Sequence, residues 1–140
     1  MKELKKCIIV DDEPAAHYVL ANYIRQNPQL ELVFEGYNGI EAMDYLRENK
    51  VDLMFLDINM PEMNGYEVCT HLKSDDQLQG IPVIFISALT EQLDKVKAFA
   101  NGGVDYITKP FQMEELHARV ETHLKLRRLQ VALEESNTRL

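Results

Sequence analysis

The sequence of 140 residues has few cysteines and no long apolar segment. No apolar run approaches the roughly 20 residues that a membrane-spanning helix needs. The four apolar residues of Cys7–Val10 are too few for a secretory signal. Cys7 and Cys69 lack the spacing of metal ligands, so we expect two packing thiols in a reduced, cytoplasmic protein. These absences argue against a membrane protein, a secreted protein and a cysteine-bound metal site.

Positive charge is also scarce. The net charge of −8 argues against direct binding of nucleic acid by this chain. Residues 1–111 hold 18 acidic and 10 basic side chains, whereas residues 112–140 hold five of each. The 46% of hydrophobic residues is ordinary for a globular protein. We therefore expect one acidic globular domain over residues 1–124 and a helical extension of different character over residues 125–140.

Five short apolar runs alternate with segments of helical spacing. The runs are Cys7–Val10, Leu30–Phe34, Val51–Leu56, Pro82–Ile86 and Val104–Ile107. The helical segments between them are Val19–Ile24, Ala42–Leu46, Val68–Leu72 and Leu93–Ala100. Candidate helix caps are Asp12 or Glu13 with Pro14, Asn38 with Glu41, Thr90 with Glu91, and Asn101–Gly103. This alternation predicts parallel strands joined by right-handed crossovers, hence an α/β three-layer sandwich.

The composition of the runs predicts their order in the sheet. The first, third and fourth runs are almost wholly apolar, as is typical of strands covered on both faces. The second and fifth contain polar residues, as edge strands do. This pattern matches the order 2-1-3-4-5 of flavodoxin-like folds, whose ligands bind beyond the carboxyl ends of the strands.

Polar side chains stand at four of those strand ends. Asp11 and Asp12 follow the first strand, Asp57 the third, Ser87 the fourth and Lys109 the fifth. Carboxylates brought so close repel one another unless a cation compensates them, and Mg²⁺ prefers such oxygen ligands. The sequence therefore predicts a magnesium site at this edge of the sheet.

The same set of side chains suits phosphoryl transfer to a carboxylate. Asp57 would be the nucleophile, Asp11 and Asp12 would hold Mg²⁺, and Ser87 and Lys109 would bind phosphoryl oxygens. These loops contain no histidine, so Ser–His–Asp hydrolysis is not indicated. In a simpler interpretation, the three aspartates and Ser87 are helix caps or turn residues. Lys109 is then a solvated surface charge.

Four motifs together resemble the receiver domains of two-component response regulators. They are Val10–Pro14, Leu56–Pro61 with Gly65, Ile86–Ala88 and Asp105–Phe111. The resemblance covers about residues 5–124. It implies that Asp57 accepts a phosphoryl group from a phosphohistidine on a sensor kinase or phosphotransfer protein. It also implies Mg²⁺ held by the side chains of Asp12 and Asp57 and the backbone carbonyl of Asn59, with Asp11 beside them.

The resemblance further implies a conformational switch. Ser87 would swing toward the phosphoryl group, Tyr106 would turn inward, and the Lys109–Pro110 bond would be cis. The face formed by the helix near residues 93–100, the fifth strand and the following helix would then change, and partners would read it. Such a chain would phosphorylate and slowly dephosphorylate itself, as a signalling switch rather than a turnover enzyme.

Three other functions remain open at this point. A Mg²⁺-dependent phosphatase of the haloacid dehalogenase type also uses an aspartate nucleophile, but its Asp-x-Asp follows the first strand, whereas Asp57 follows the third. A flavodoxin-like flavin carrier needs phosphate-cradling residues where Asp11–Glu13 would repel phosphate. A receiver fold that acts unphosphorylated, as a scaffold, would keep the same residues.

The C-terminal segment has two apolar patterns in sequence. Met113, Leu116, Val120 and Leu124 are spaced for a helix lying on the sheet. Leu126, Leu129, Leu133 and Leu140 fall on heptad core positions, with Ser136 in the gap. The second pattern predicts a homodimer through residues 112–140 or a link to a downstream domain, and a frayed end is the alternative.

The basic cluster Lys125–Arg128 is interpreted as a solvated face. The four histidines are interpreted as surface or helix-face residues without a ligand role: His17, His71, His117 and His123.

Overall fold

The computed structural model describes residues 3–88 and 105–138. Within these ranges the chain forms five strands and four helices. The strands are β1 (Lys5–Val10), β2 (Leu30–Gly36), β3 (Leu53–Asp57), β4 (Val83–Ala88) and β5 (Asp105–Lys109). The helices are α1 (Pro14–Gln26), α2 (Gly39–Leu46), α3 (Gly65–Lys73) and α4 (Met113–Thr138). The predicted helix over Leu93–Ala100 and its predicted caps lie outside the described residues.

The strands form one parallel sheet in the order β2-β1-β3-β4-β5, which confirms the predicted order and fold class. Strands β3, β4 and β5 extend one or two residues beyond their apolar runs, so the sheet itself includes Asp57, Ser87 and Lys109. Their backbones are therefore fixed by strand pairing rather than carried on loops. The carboxyl end of the sheet thus holds its polar side chains on a rigid support.

A hydrophobic core fills each side of the sheet. Along β1, Ile8 and Val10 enter one core, while Cys7 and Ile9 enter the other, and all four are fully buried. Helices α2 and α3 cover the first core, and α1 and α4 cover the second. The apolar runs of β1, β3 and β4 follow from this arrangement, because both faces of these strands are covered.

Side-chain caps start two of the helices. The side chain of Asn38 accepts a hydrogen bond from the backbone N–H of Glu41, 2.9 Å away, as the sequence predicted. Asn64 and Glu67 form a reciprocal capping box at the start of α3, which the sequence analysis did not single out. At α1, Glu13 is the N-cap residue and Pro14 the first helical residue, also as predicted.

Helix α4 passes from a buried to an exposed environment. Its buried apolar residues are Leu116, Val120 and Leu124. Met113 was predicted to join them, but it is 44% exposed because it lies at the very start of the helix, at the rim of the core. Beyond Leu124, three leucines stand in solvent with 54, 59 and 63% of their surface exposed: Leu126, Leu129 and Leu133. We call these three residues the leucine stripe.

None of the described helices combines the length and the apolar character that crossing a membrane requires.

Candidate functional site

Three carboxylates meet at the carboxyl end of β1 and β3. Because Val10 lies beside Leu56 in the paired strands, Asp11 comes next to Asp57. Oxygen atoms of Asp11, Asp12 and Asp57 all lie within 4.8 Å of one another. Asp11 and Asp57 are buried, whereas Asp12 is exposed and leaves the cluster open on its side. The predicted acidic site is therefore present and reachable from solvent.

Lys109 supplies the positive charge of the cluster. Its Nζ lies 3.0 Å from Asp11 Oδ2, 2.9 Å from Glu13 Oε1 and 4.0 Å from Asp57 Oδ1. Burial alone would lower the pKa of Lys109, but its hydrogen bond to Glu13, its close contact with Asp11 and the negative charges of Asp11 and Asp57 outweigh burial and raise it. The lysine is therefore a firmly charged ammonium group directed at the buried carboxylates.

One ammonium group does not balance the cluster. Burial first, and then the negative charge of Asp11, raise the pKa of Asp57 from 3.8 to about 8, although Lys109 pulls it down. Among the described residues, no donor is aligned to hydrogen-bond with the buried Asp11 Oδ2, despite the nearby lysine. An under-neutralised oxygen cluster with one open side fits a hard divalent cation such as Mg²⁺.

Ser87 and Asn59 lie on the segments next to Asp57, on β4 and directly after β3. Ser87 is buried, and its hydroxyl donates to the backbone oxygen of Ala88, 3.3 Å away. Asn59 is exposed, two residues after Asp57. The Lys109–Pro110 peptide is cis, as the resemblance implied.

Tyr106 lies beside Phe85 of the neighbouring strand and is half-buried. The guanidinium of Arg119 on α4 stands 5.5 Å from the centre of its ring. Arg119 also pairs with Asp105, whose other carboxylate oxygen lies 2.9 Å from His123 Nε2. Burial would raise the pKa of Asp105, but Arg119, His123 and a backbone N–H together lower it. These contacts fasten β5 to α4.

Three residues support the cluster in ways that were not predicted from the sequence. Glu13 was predicted as a helix cap and as part of the acidic run Asp11–Glu13, but its ion pair with Lys109 was not predicted. Gly65 was noted only as part of a motif, but its Cα packs against the backbone of Asp57. His17 was expected on a surface or helix face without a ligand role. It lies on α1, but it is only 3% exposed and bonds to the backbone of Asp11.

Comparisons with known proteins agree with this geometry. The family described as the response regulator receiver domain matches residues 7–121. The heme response regulator HssR of Staphylococcus haemolyticus is 40% identical over 123 residues, which cover 86% of this chain and 51% of that protein. The DNA-binding dual master transcriptional regulator RpaA of Synechocystis is 32% identical over 128 residues, which cover 87% of this chain and 50% of that protein. The chain thus spans about half the length of these curated relatives.

Solved structures give the same result. The signal receiver domain of a signal transduction histidine kinase from Syntrophus aciditrophicus superposes with a TM-score of 0.77 at 32% identity, covering 86% of this chain and 90% of that one. The acidic cluster, the parallel sheet and the match over residues 7–121 lead to one assignment. The chain belongs to the response regulator receiver domain family of two-component signalling.

Proposed function

We propose that this receiver domain accepts a phosphoryl group on Asp57 in a Mg²⁺-dependent reaction. The donor would be a phosphohistidine on a sensor kinase or a phosphotransfer protein. A carboxylate oxygen of Asp57 would attack phosphorus, the phosphorus–nitrogen bond to the imidazole would break, and the imidazole, already protonated on its other ring nitrogen, would leave as the neutral ring. One observation carries the proposal: a buried Asp57 carboxylate lies beside two further acids and 4.0 Å from the Lys109 ammonium.

The raised pKa of Asp57 bears on this chemistry. A nucleophilic carboxylate must be deprotonated, and in the cation-free cluster burial and Asp11 oppose that. Asp12 and Asp57, with the backbone carbonyl of Asn59 and with Asp11 beside them, would hold Mg²⁺. When bound, the ion would neutralise carboxylate charge and stabilise charge on the transferring phosphoryl group.

Lys109 and Ser87 would receive the oxygens of the new phosphoryl group. The Lys109 ammonium already stands between Asp11 and Asp57, so an added anion on Asp57 meets a charge that is in place. The Ser87 hydroxyl would have to leave the carbonyl oxygen of Ala88 and rotate to reach the same anion. In this proposal Lys109 contacts the phosphoryl group on Asp57 without moving, whereas the Ser87 hydroxyl contacts it only after rotating.

The output would be a change of surface rather than a released product. Tyr106 would turn inward as Ser87 moves, and its contact with Arg119 would change with it. The surface that partners read would include β5, α4 and the predicted helix near residues 93–100, which is outside the described residues. The domain would thus act as a switch that phosphorylates and dephosphorylates only itself.

The C-terminal part of α4 would extend the receiver domain. We place the receiver domain in residues 1–124, because Leu124 is the last of the three buried apolar residues of α4. Residues 125–140 would form a helical extension, and its leucine stripe would pair with a second copy of the chain or continue into an output domain. The two buried, unpaired thiols of Cys7 and Cys69 fit a cytoplasmic protein.

Intact-mass measurement after incubation with Mg²⁺ and acetyl phosphate tests the phosphoacceptor role. We expect one phosphoryl adduct on the parent protein and none on Asp57→Asn. Asp44→Asn, at an exposed position of α2, is the matched control and should be labelled like the parent. Equal labelling of Asp57→Asn and the parent would remove Asp57 from this role.

Two further assays separate the phosphatase and the scaffold from a phosphoacceptor. Steady release of phosphate from small phosphomonoesters over many turnovers would indicate a phosphatase. A parent protein that takes no phosphoryl group from any donor, yet still binds its partner, would indicate a scaffold.

A further inference from the structure

His17 is a buried polar side chain that joins the acidic cluster to β2, a strand that contributes none of the cluster's residues. Its Nε2 lies 2.7 Å from the backbone oxygen of Asp11. Its Nδ1 lies 3.0 Å from Glu35 Oε1 near the end of β2. The imidazole also stacks on the ring of Tyr37, with 4.1 Å between ring centres and 18° between planes. Three contacts therefore fix the position and the tilt of this ring.

The bond to Asp11 fixes the backbone at the centre of the cluster. A carbonyl oxygen only accepts hydrogen bonds, so Nε2 of His17 is the donor. This carbonyl belongs to the peptide unit that joins Asp11 to Asp12. The preceding peptide unit is also held, because the N–H of Asp11 donates to the oxygen of Gly36 at 3.1 Å. Both peptide planes that flank the Asp11 Cα are thereby fixed.

We propose that His17 is a positioning residue that sets the Asp11 and Asp12 carboxylates for a divalent cation. The peptide unit between the two aspartates can rotate only if its buried carbonyl gives up the His17 donor, which costs free energy. Such a rotation would turn the direction in which the Asp12 side chain leaves the backbone. Glu35 and Tyr37 hold the imidazole from the other side, so β2 supports a site whose ligands lie on β1 and β3. This inference rests on the proposed function of the cluster as a Mg²⁺ site.

The competing explanation is that His17 merely fills space between α1 and β2. The two explanations differ in what they predict for cation affinity. Replacing a space-filling residue changes the stability of the fold, but the affinity of the folded protein for Mg²⁺ stays unchanged. A positioning residue changes that affinity, because supporting residues of metal sites contribute to it.

Mg²⁺ binding measured by isothermal titration calorimetry on the full chain tests the proposal. His17→Phe keeps an aromatic ring for Tyr37 but removes both nitrogen atoms, and we expect its Mg²⁺ affinity to fall on the order of 10-fold. His17→Gln retains an N–H donor and should recover part of that loss. Leu20→Ala, a buried substitution on the same helix, is the control for stability and should bind Mg²⁺ like the parent while unfolding at a lower temperature.

An unchanged Mg²⁺ affinity in His17→Phe would overturn the positioning role, whatever its melting temperature. If that variant does not fold, Glu35→Ala removes the outer contact of the ring at a half-exposed position, and a weaker affinity is expected there too. An unchanged affinity in Glu35→Ala would then count against the proposal. A parent that accepts no phosphoryl group, but whose Mg²⁺ affinity depends on His17, would refute the proposed function and leave this inference standing.

Discussion

A Cβ atom added to Gly65 would lie 2.5 Å from the backbone oxygen of Asp57. The start of α3 therefore packs directly against the backbone of Asp57, the proposed phosphoacceptor. The N–H of Gly65 also donates a hydrogen bond to the backbone oxygen of Ile58, 2.8 Å away. Since the obstructing atoms are backbone atoms of a strand end, a side chain here cannot be accommodated by a rotamer change.

Gly65→Ala should therefore displace Asp57 and destabilise the fold. We expect the free energy of unfolding in urea to fall by about 1–3 kcal/mol, together with slower labelling by acetyl phosphate. Gly80→Ala is the matched control, because its added Cβ would meet only the guanidinium end of Arg127, which can move away. A Gly65→Ala protein as stable as the Gly80→Ala protein would contradict this account of α3.

Stability without divalent cations should depend on pH through Asp57. Its pKa is raised to about 8 in the folded protein, from near 4 in the unfolded chain. Between these two values the folded state binds the extra proton, so the free energy of unfolding falls as the pH rises from about 4 to 8. Asp57→Asn removes this contribution and should be more stable than the parent, by a margin that grows up to about pH 8.

Urea unfolding of both proteins in chelator at several pH values measures this margin. Added Mg²⁺ should stabilise the parent more than Asp57→Asn, because a ligand of the cation is lost in the variant. A margin that stays constant from pH 5 to pH 8 would show that the Asp57 carboxyl is not perturbed in the fold.

Removal of the Lys109 charge should affect phosphorylation and cation binding in opposite directions. Lys109→Met takes a positive charge away from three carboxylates, so Mg²⁺ should bind more tightly than in the parent. Labelling by acetyl phosphate should nevertheless slow on the order of 100-fold, because the new phosphoryl oxygens lose their ammonium partner. Calorimetry and intact mass at saturating Mg²⁺ separate the two effects.

Lys73→Met serves as the control for the loss of a partly buried lysine. Lys73 donates to the backbone oxygens of Gln79 and Ile81, remote from the acidic cluster. The Lys73→Met substitution should leave both the Mg²⁺ affinity and the labelling by acetyl phosphate unchanged. Weaker Mg²⁺ binding in Lys109→Met would mean that the lysine orders the aspartates rather than competing with the cation.

The leucine stripe should drive self-association of the chain. Its three side chains are each more than half exposed, so pairing with a second copy would remove apolar surface from water. Truncation after Leu124, or replacement of all three leucines by glutamine, should lower the molar mass seen by light scattering at high concentration. Replacing Arg128 and Glu135 by glutamine, outside the leucine stripe on the same helix, should not. A full chain that stays monomeric at high concentration, with and without phosphodonor, would refute the dimer.

Much of this fold follows from patterns that lie close together in the sequence. The apolar composition of β1, β3 and β4 predicted that they are central, and the order then placed Asp11 next to Asp57. The support of the site depends instead on contacts between distant segments. His17 meets Glu35 across 18 positions, and Lys109 meets Glu13 across 96, so no local pattern marks either pair.

The apolar runs stop before Asp57 and Ser87, but the strands were predicted to end at these two residues, and strand pairing includes both. One error had a local cause. Met113 matched the helical spacing of the buried residues of α4, but spacing carries no information about where the core itself stops.

The uninterrupted course of α4 has a mechanical consequence. The nine residue steps from Leu124 to Leu133 span about 14 Å along a helix that contains neither glycine nor proline. The N-terminal part of this helix is attached to β5, because Arg119 and His123 both pair with Asp105. A tilt of the helix about its contacts with Asp105 would therefore displace Leu133 further than it displaces Leu124. Because the helix is continuous, the position of the leucine stripe follows the angle at which β5 holds the helix.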